Sequence, residues 1–324
     1  MVLAAGLGTR LRPLTLRRAK PALPVLNRPL LHWTLARLAQ AGVTEVVVNL
    51  HHRPASVRRA VGDGRAFGLR VRFSHERRIL GTGGGPRRVR GVFGDAPFLL
   101  VNGDVIFDFD LRAFIDRYRR SGARVALGLQ PNPDPRRYGP VVMDRRGRIV
   151  SLAGLPRPAR GRPWLFIGIH LLDPRLLDRL PAGPSDSVRH LYAPLVAEGE
   201  RLVGVPLEGA WYDLGSPKLY LDAQLSLLAA GFGGTREGRL IHPQARVDPG
   251  ATVRRSVVGA GSVLGAGAVV EDSVLWDRVR VGPGARVRRC VITDGRRVPK
   301  GARLTDVMVV SGRKGRNLIV EVKA

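Results

Sequence analysis

The sequence predicts an α/β domain on a mostly parallel, Rossmann-like sheet, followed by a second domain made of stacked β-coils. Three observations predict it. Residues 1 to about 230 alternate short apolar runs with stretches of helical spacing. Residues beyond about 240 repeat every 17 positions. The first apolar run empties directly into a glycine loop. At 324 residues the chain exceeds the usual single-domain range, and 44% hydrophobic residues suffice for two cores.

The elements follow in chain order. Val2 to Ala5 reads as a short first strand whose closeness to Met1 points to a start further upstream. It enters Gly6-Leu7-Gly8-Thr9-Arg10-Leu11-Arg12-Pro13-Leu14-Thr15, then a spacer and Lys20-Pro21. Glycines there can take positive φ and let backbone N–H groups close on an anion. Arg10, Arg12 and Lys20 add fixed charges suited to phosphate. No Gly-x-x-x-x-Gly-Lys-Ser/Thr run exists, and Leu11 stands where a dinucleotide fingerprint needs its third glycine. Val43 to Leu50, Phe98 to Val101 and Val125 to Leu129 read as buried strands; Pro29 to Ala41 and Leu111 to Ser121 read as helices. Ligands of such a sheet sit beyond the carboxyl ends of its strands, where the Gly6 loop falls.

After the breaker-rich link Gly231-Phe232-Gly233-Gly234-Thr235 the repeat begins. Ile241, Val258, Leu275, Ile292 and Val309 lie 17 residues apart, as do Val247, Leu264, Val281 and Val298, and again Val253, Val270, Val287 and Leu304. Within each unit the aliphatics step by six, six and five, a spacing no amphipathic helix explains. Each coil should bury three aliphatics on its neighbours' equivalents. Cys290 fills the slot that Ser256 and Ser273 hold in earlier coils, and so reads as a small packing residue.

Composition narrows the partners. The net charge is +28, almost all from arginine, but pairs such as Arg17-Arg18, Arg58-Arg59, Arg119-Arg120 and Arg254-Arg255 are scattered along the chain. No basic stripe is interleaved with aromatics, so a solvated surface that favours anionic substrates is expected, and not a nucleic-acid binder. No run of 18 apolar residues spans a membrane, and five residues before Gly6 are too few for a signal-peptide core. The single Cys290 fits a reducing cytoplasm.

The string from Gly6 to Thr15 with Lys20-Pro21 resembles the signature of sugar-1-phosphate nucleotidylyltransferases. The 17-residue pattern resembles hexapeptide-repeat, left-handed parallel β-helices, which many sugar-nucleotide synthases carry after the catalytic domain. The resemblance implies a nucleotidyltransferase domain over residues 1–232, a β-helix over 238–311 and a tail over 312–324. It implies that Gly6, Gly8 and Thr9 bind the triphosphate, with Arg10 and Lys20 in catalytic roles. Val101-Asn102-Gly103-Asp104 and Trp211-Tyr212-Asp213-Leu214-Gly215-Ser216-Pro217 resemble the family's two metal motifs, so Asp104 and Asp213 would hold magnesium (Mg2+). Leu80-Gly81-Thr82-Gly83-Gly84-Gly85 resembles the base-contacting loop, in the form found in guanylyl- and related transferases. Asn102, Tyr138-Gly139 and Gly168 are placed by resemblance in the substrate pocket.

The implied reaction joins a nucleoside triphosphate to a sugar-1-phosphate with loss of pyrophosphate. GTP with mannose-1-phosphate leads over glucose-1-phosphate with UTP or dTTP. A homo-oligomer is implied, and the β-helix is expected to serve stability or assembly, so that truncation after Gly234 leaves the site complete. One departure stands out: relatives often have Glu-Lys-Pro where this chain has Gly154-Leu155-Pro156. Arg157, Arg160 or Arg162 could supply the missing cation. The alternative is a catalytically weak, nucleotide-sugar-binding regulatory subunit. Ala19, where a proline is usual, and Ser216, in place of threonine, are smaller departures.

Overall fold

The computed structural model describes residues 1–235, 238–312 and 315–322. By contact these fall into two compact units, Met1–Leu7 with Leu31–Trp211, and Gly8–Leu30 with Tyr212–Ala324.

The first unit holds a nine-stranded sheet of β1 (Val2–Leu3), β2 (Glu45–Leu50), β3 (Arg70–His75), β4 (Phe98–Asn102), β5 (Val125–Pro131), β6 (Pro140–Met143), β7 (Ile149–Leu152), β8 (Trp164–Leu172) and β9 (Leu202–Pro206). The path runs β7-β6-β8-β4-β1-β2-β3, with β5 pairing β8 and β9 pairing β5. The β4-β1-β2-β3 half is parallel, as the strand–helix alternation predicts. The other half is not: β8 runs antiparallel to β4, β5 and β6. A long strand buried on both faces is apolar in either direction, so its sense is invisible in the pattern.

The helices of this unit are α1 (Leu30–Gln40), α2 (Pro54–Val61), α3 (Gly81–Arg88), α4 (Leu111–Ser121) and α5 (Ala193–Ala197). Helix α4 shows why these bounds hold. The Asp110 side chain accepts from the Arg112 and Ala113 amides at one end, and Gly122 turns left-handed at the other. Between them Leu111, Phe114 and Tyr118 are buried. The core gathers Leu100, Val125, Leu127, Leu129, Leu172 and Tyr192, each aliphatic contributing roughly 1.5–3 kcal/mol on burial. Strands β6 and β7 form a hairpin: they pair antiparallel, and the Asp144 carboxylate accepts from the amides of Arg146 and Arg148 at its turn.

In the second unit α6 (Pro217–Ala229) is followed by the solenoid. Its strands pair with strands exactly one repeat away, so Ile241 faces Val258, then Leu275, Ile292 and Val309 in one parallel sheet. The other two aliphatic series line two further parallel sheets in the same register. Arg255, Asp272, Arg289 and Asp306, again one repeat apart, hold positive φ at successive corners. Their side chains alternate in sign and pair: Arg255 grips Asp272 through two 2.6 Å bonds, and Arg289 reaches Asp306 at 2.9 Å. Hydrogen bonds from Arg255 hold the Asp272 carboxyl below its ordinary range.

Cys290 packs as expected, its amide donating to the Ser273 hydroxyl as the Ser273 amide does to Ser256. Burial pushes its thiol up to about 11. The segment expected as a tail adds a strand, Asn317–Glu321, antiparallel to Val307–Ser311; residues 313, 314, 323 and 324 of it lie outside the described residues.

Candidate active site

The boundary between the two units falls inside the signature loop, between Leu7 and Gly8. Gly6, Gly81, Thr82, Gly83, Gly84, Asn102, Asp104, Tyr138, Gly139 and Gly168 therefore lie in the first unit, and Gly8, Thr9, Arg10, Lys20 and Asp213 in the second.

In the first unit the carboxyl ends of β1, β2 and β4 lie side by side, Leu3 being opposite Asn102. Gly6 follows, exposed and with open space where a Cβ would be. It lacks the positive φ expected of it, which Gly8 alone of the pair adopts at 61°. The Gly103 amide donates to the Leu3 carbonyl at 2.9 Å, and a Cβ on Gly103 would lie 2.9 Å from that oxygen. Glycine there lets the chain turn tightly and brings Asp104, half-buried, to the strand end. Across β4, the backbone of β8 shifts register around Gly168, whose φ is 76°. A Cβ on Gly168 would sit 2.4 Å from the Asn102 Nδ2, so the missing side chain makes room for the Asn102 amide.

A buried polar chain ties these strand ends to α3. The Ala4 amide donates to Asn49 Oδ1 at 2.7 Å, Asn49 Nδ2 donates to Glu76 Oε1 at 2.8 Å, and Glu76 Oε2 accepts from the Leu80 amide at 2.9 Å. Glu76 and Asn49 are fully enclosed. The sequence alone marks neither as a site residue. The signal for Asn49 was one amide inside an otherwise aliphatic strand, which a buried partner must satisfy.

The glycine run at 81–85 differs from expectation. It opens helix α3, where the resemblance implies a base-contacting loop. The amides of Gly83 and Gly84 both point at the Ser185 carbonyl, at 2.9 and 3.4 Å. Cβ atoms at Gly81 and Gly84 would lie 2.5 Å from Ser185 O and 2.1 Å from Gly183 O. These glycines admit a second stretch of backbone, which fills the first-turn donors that a helix leaves open. Thr82 faces the same segment, its hydroxyl accepting from the Ser187 amide at 2.8 Å. The amides of Gly83 and Gly84 are thus committed to protein.

Tyr138 stands edge-on to Trp211, centroids 5.8 Å apart, with Arg137 over its ring at 5.0 Å. Its carbonyl accepts from Asn132 Nδ2 at 2.8 Å. Gly139 abuts Ala153, beside the Gly154-Leu155-Pro156 departure. Arg157, Arg160 and Arg162 are exposed, and Arg162 stacks on Trp164 at 4.4 Å. Deeper in the sheet His170 is enclosed, its Nδ1 2.6 Å from the Tyr192 hydroxyl. Burial brings it down to about 3, so the ring is neutral. A cavity of about 470 Å3 at the opposite, amino ends of β2 and β4 is walled by Val46, Phe93, Phe98 and Leu99 and includes none of the candidate residues.

In the second unit the Thr15 hydroxyl donates to the Gly8 carbonyl at 2.8 Å, and Lys20 packs 3.5 Å from where a Gly8 Cβ would be. Lys20 is buried, whereas Thr9 and Arg10 are exposed in a short turn over Thr9–Leu11. Asp213 rests against Gly215, where a Cβ would come within 2.9 Å of its carboxylate; Ser216 then caps α6 at the Leu219 amide, 3.4 Å away. Asp104 and Asp213 are oxygen donors of the hard-ligand type that Mg2+ takes. Among the described residues no group of three or more His, Cys, Asp or Glu could hold a metal.

Fold and loop together define an α/β nucleotide-handling protein with a solenoid attached. The model of the nucleotidyl transferase family matches residues 1–230, and that of the GlmU-like C-terminal hexapeptide matches residues 238–306. The chain belongs to the nucleotidyl transferase family. It is 34% identical to the mannose-1-phosphate guanylyltransferase of Mycobacterium tuberculosis over 86% of this chain and 80% of the relative. It is 30% identical to the mannose-1-phosphate guanylyltransferase catalytic subunit beta of Dictyostelium discoideum, over 72% of this chain and 68% of the other. A crystal structure of a putative glucose-1-phosphate thymidylyltransferase from Bacillus anthracis shares the fold, with a TM-score of 0.60 and 22% identity over 70% of this chain and 93% of that one. Among the described residues no helix is long and apolar enough to cross a membrane.

Proposed function

We propose that the protein transfers a nucleoside monophosphate from GTP to mannose-1-phosphate, giving an NDP-sugar and pyrophosphate. The observation that carries this reading is the 34% identity to a mannose-1-phosphate guanylyltransferase across most of both chains. The signature loop, read residue by residue, agrees with it.

A sugar-phosphate oxygen attacks the α-phosphorus in line, the new P–O bond forms, and the bond to the pyrophosphate oxygen breaks. The nucleophile is already anionic, so no general base is required, and positioning and charge neutralisation dominate. Arg10 and the Gly6–Thr9 amides grip the triphosphate, and Lys20 offsets charge on the transferring group. Asn102, Tyr138, Gly139 and the space at Gly168 shape the sugar and ribose pocket. Asp104 and Asp213 would hold Mg2+, which when bound neutralises and orients the phosphates. Residues 1–232 act as the catalytic domain and 238–311 as the β-helix, in a cytoplasmic homo-oligomer.

A pyrophosphate-release screen of purified protein with Mg2+, four nucleoside triphosphates and several sugar-1-phosphates tests the reading. Release with GTP and mannose-1-phosphate above all other pairs is expected. Release with UTP or dTTP and glucose-1-phosphate transfers the assignment to that pair, and nucleotide binding without turnover replaces it with a regulatory subunit.

A further inference from the structure

Arg18, which the sequence presents as one of many solvated arginines, is clasped by the solenoid. Its guanidinium meets Asp294 at 2.6 Å and lies 5.3 Å over the Trp276 ring. Asp294 and Trp276 belong to successive coils, and Trp276 is buried. Trp276 Nε1 donates to the Tyr220 hydroxyl at 3.0 Å, and that hydroxyl donates to the Pro24 carbonyl. Two further bonds hold the same segment: the Leu26 amide to Gln224 Oε1 at 3.1 Å, and Asn27 Nδ2 to the Val258 carbonyl at 2.9 Å. The Gly8–Leu30 segment is thus packed on α6 and the solenoid, all within one compact unit.

Asp294 stands one repeat after Asp277, whose carboxylate accepts from the Ala260 amide at 3.0 Å. The Asp294 Oδ1 is buried, the carboxyl side chain is only 24% exposed, and burial raises the carboxyl above its ordinary range. A buried carboxylate is unfavourable without a counter-charge. Arg18 supplies the counter-charge, and its flat face covers Trp276. Arg18 is two residues before Lys20, and Lys20 packs against Gly8 and its Thr15 strut. Fixing Arg18 therefore fixes the turn that carries Arg10 and Lys20.

We infer that Asp294 and Trp276 are positioning residues for the Gly8–Lys20 loop: the solenoid sets where the phosphate-gripping groups stand. This replaces the expectation that the β-helix serves only stability or assembly, and it rests on the nucleotidyl-transfer reading for its kinetic consequence. A misplacement of about 1 Å at a reacting group can cost on the order of a hundredfold.

Asp294→Asn, Trp276→Leu and Arg18→Ala are compared with Arg18→Lys in the full chain by hydrogen exchange and steady-state kinetics. Amides of Leu11, Arg12 and Leu23 should exchange at least about tenfold faster in the first three variants, with solenoid amides Val263, Val274 and Arg280 unchanged. KM for the triphosphate should rise and kcat fall by roughly tenfold or more, with partial recovery in Arg18→Lys, which keeps the charge and loses the stacking. Unchanged exchange in the loop, or a loosened loop with unchanged kcat and KM, overturns the inference. If the parent turns over no substrate pair, the function is refuted and the exchange result still decides the clasp.

Discussion

Replacing Gly168 by alanine puts two penalties on one new atom. The residue has φ 76°, a region where a side chain costs an L-residue about 1–2 kcal/mol. The added Cβ would also lie 2.4, 2.7 and 2.9 Å from Nδ2, Cγ and Cβ of Asn102. Asn102 is held in β4 opposite Leu3 and cannot withdraw without dragging the strand, so overpacking adds about 1–3 kcal/mol. Gly147 supplies the control. Its φ is 75°, but the nearest atom to its Cβ position is 3.9 Å away, so Gly147→Ala carries the backbone penalty alone. The difference between the two variants isolates the collision. At roughly 2–4 °C per kcal/mol, Gly168→Ala should melt about 2–12 °C below Gly147→Ala in a thermal scan. It should also show impaired turnover, because Asn102 must leave its place, while Gly147→Ala keeps wild-type activity. Equal melting temperatures for the two variants would refute the argument that Gly168 exists to accommodate Asn102.

Three further outcomes are expected. Asp104→Asn and Asp213→Asn should each lose most turnover, on the order of several kcal/mol of transition-state stabilisation, with melting curves unchanged; wild-type kcat at saturating Mg2+ removes that residue from the site. His170 is neutral in the fold, brought to about 3 by burial from an ordinary 6.5. The unfolded chain therefore binds the extra proton, and stability that is complete above about pH 6.5 drains toward pH 3, by about 1.4 kcal/mol per unit. Denaturant titrations at pH 7, 5.5 and 4.5 check it, and His170→Gln should flatten that slope. Arg157→Ala or Arg160→Ala should raise KM for the sugar phosphate far more than for the nucleotide, Arg162 being stacked on Trp164; three silent alanine variants, Arg162→Ala included, dispose of the substitution idea.

What could be read from the sequence follows from how local each signal is. The solenoid registers are visible because one repeat length sets every pairing, so Val247 to Leu264 to Val281 needs no tertiary information. Helix α4 is visible because its cap Asp110 and its stop Gly122 are neighbours of its own residues. The direction of β8 is hidden, since an apolar strand looks alike from either end. The glycines of α3 mislead because their reason lies about a hundred residues away, in the backbone at Gly183 and Ser185. Glu76 and Arg18 are hidden for the same reason: a charge reads as solvated until its partner, Asn49 or Asp294, is brought up by the fold.

The clasp on Arg18 has a consequence for synthesis. The loop that carries Arg10 and Lys20 leaves the ribosome well before Asp294, its partner through Arg18. At about 5–20 residues per second the nascent chain waits roughly 14–55 s between the two. During that interval the Gly8–Lys20 segment has no solenoid to dock on, however early the sheet of the first unit forms. A messenger cut short, or a ribosome stalled before the fourth coil, would release a sheet whose phosphate loop is unanchored. Competence would then be acquired only once the coil that carries Asp294 has been made.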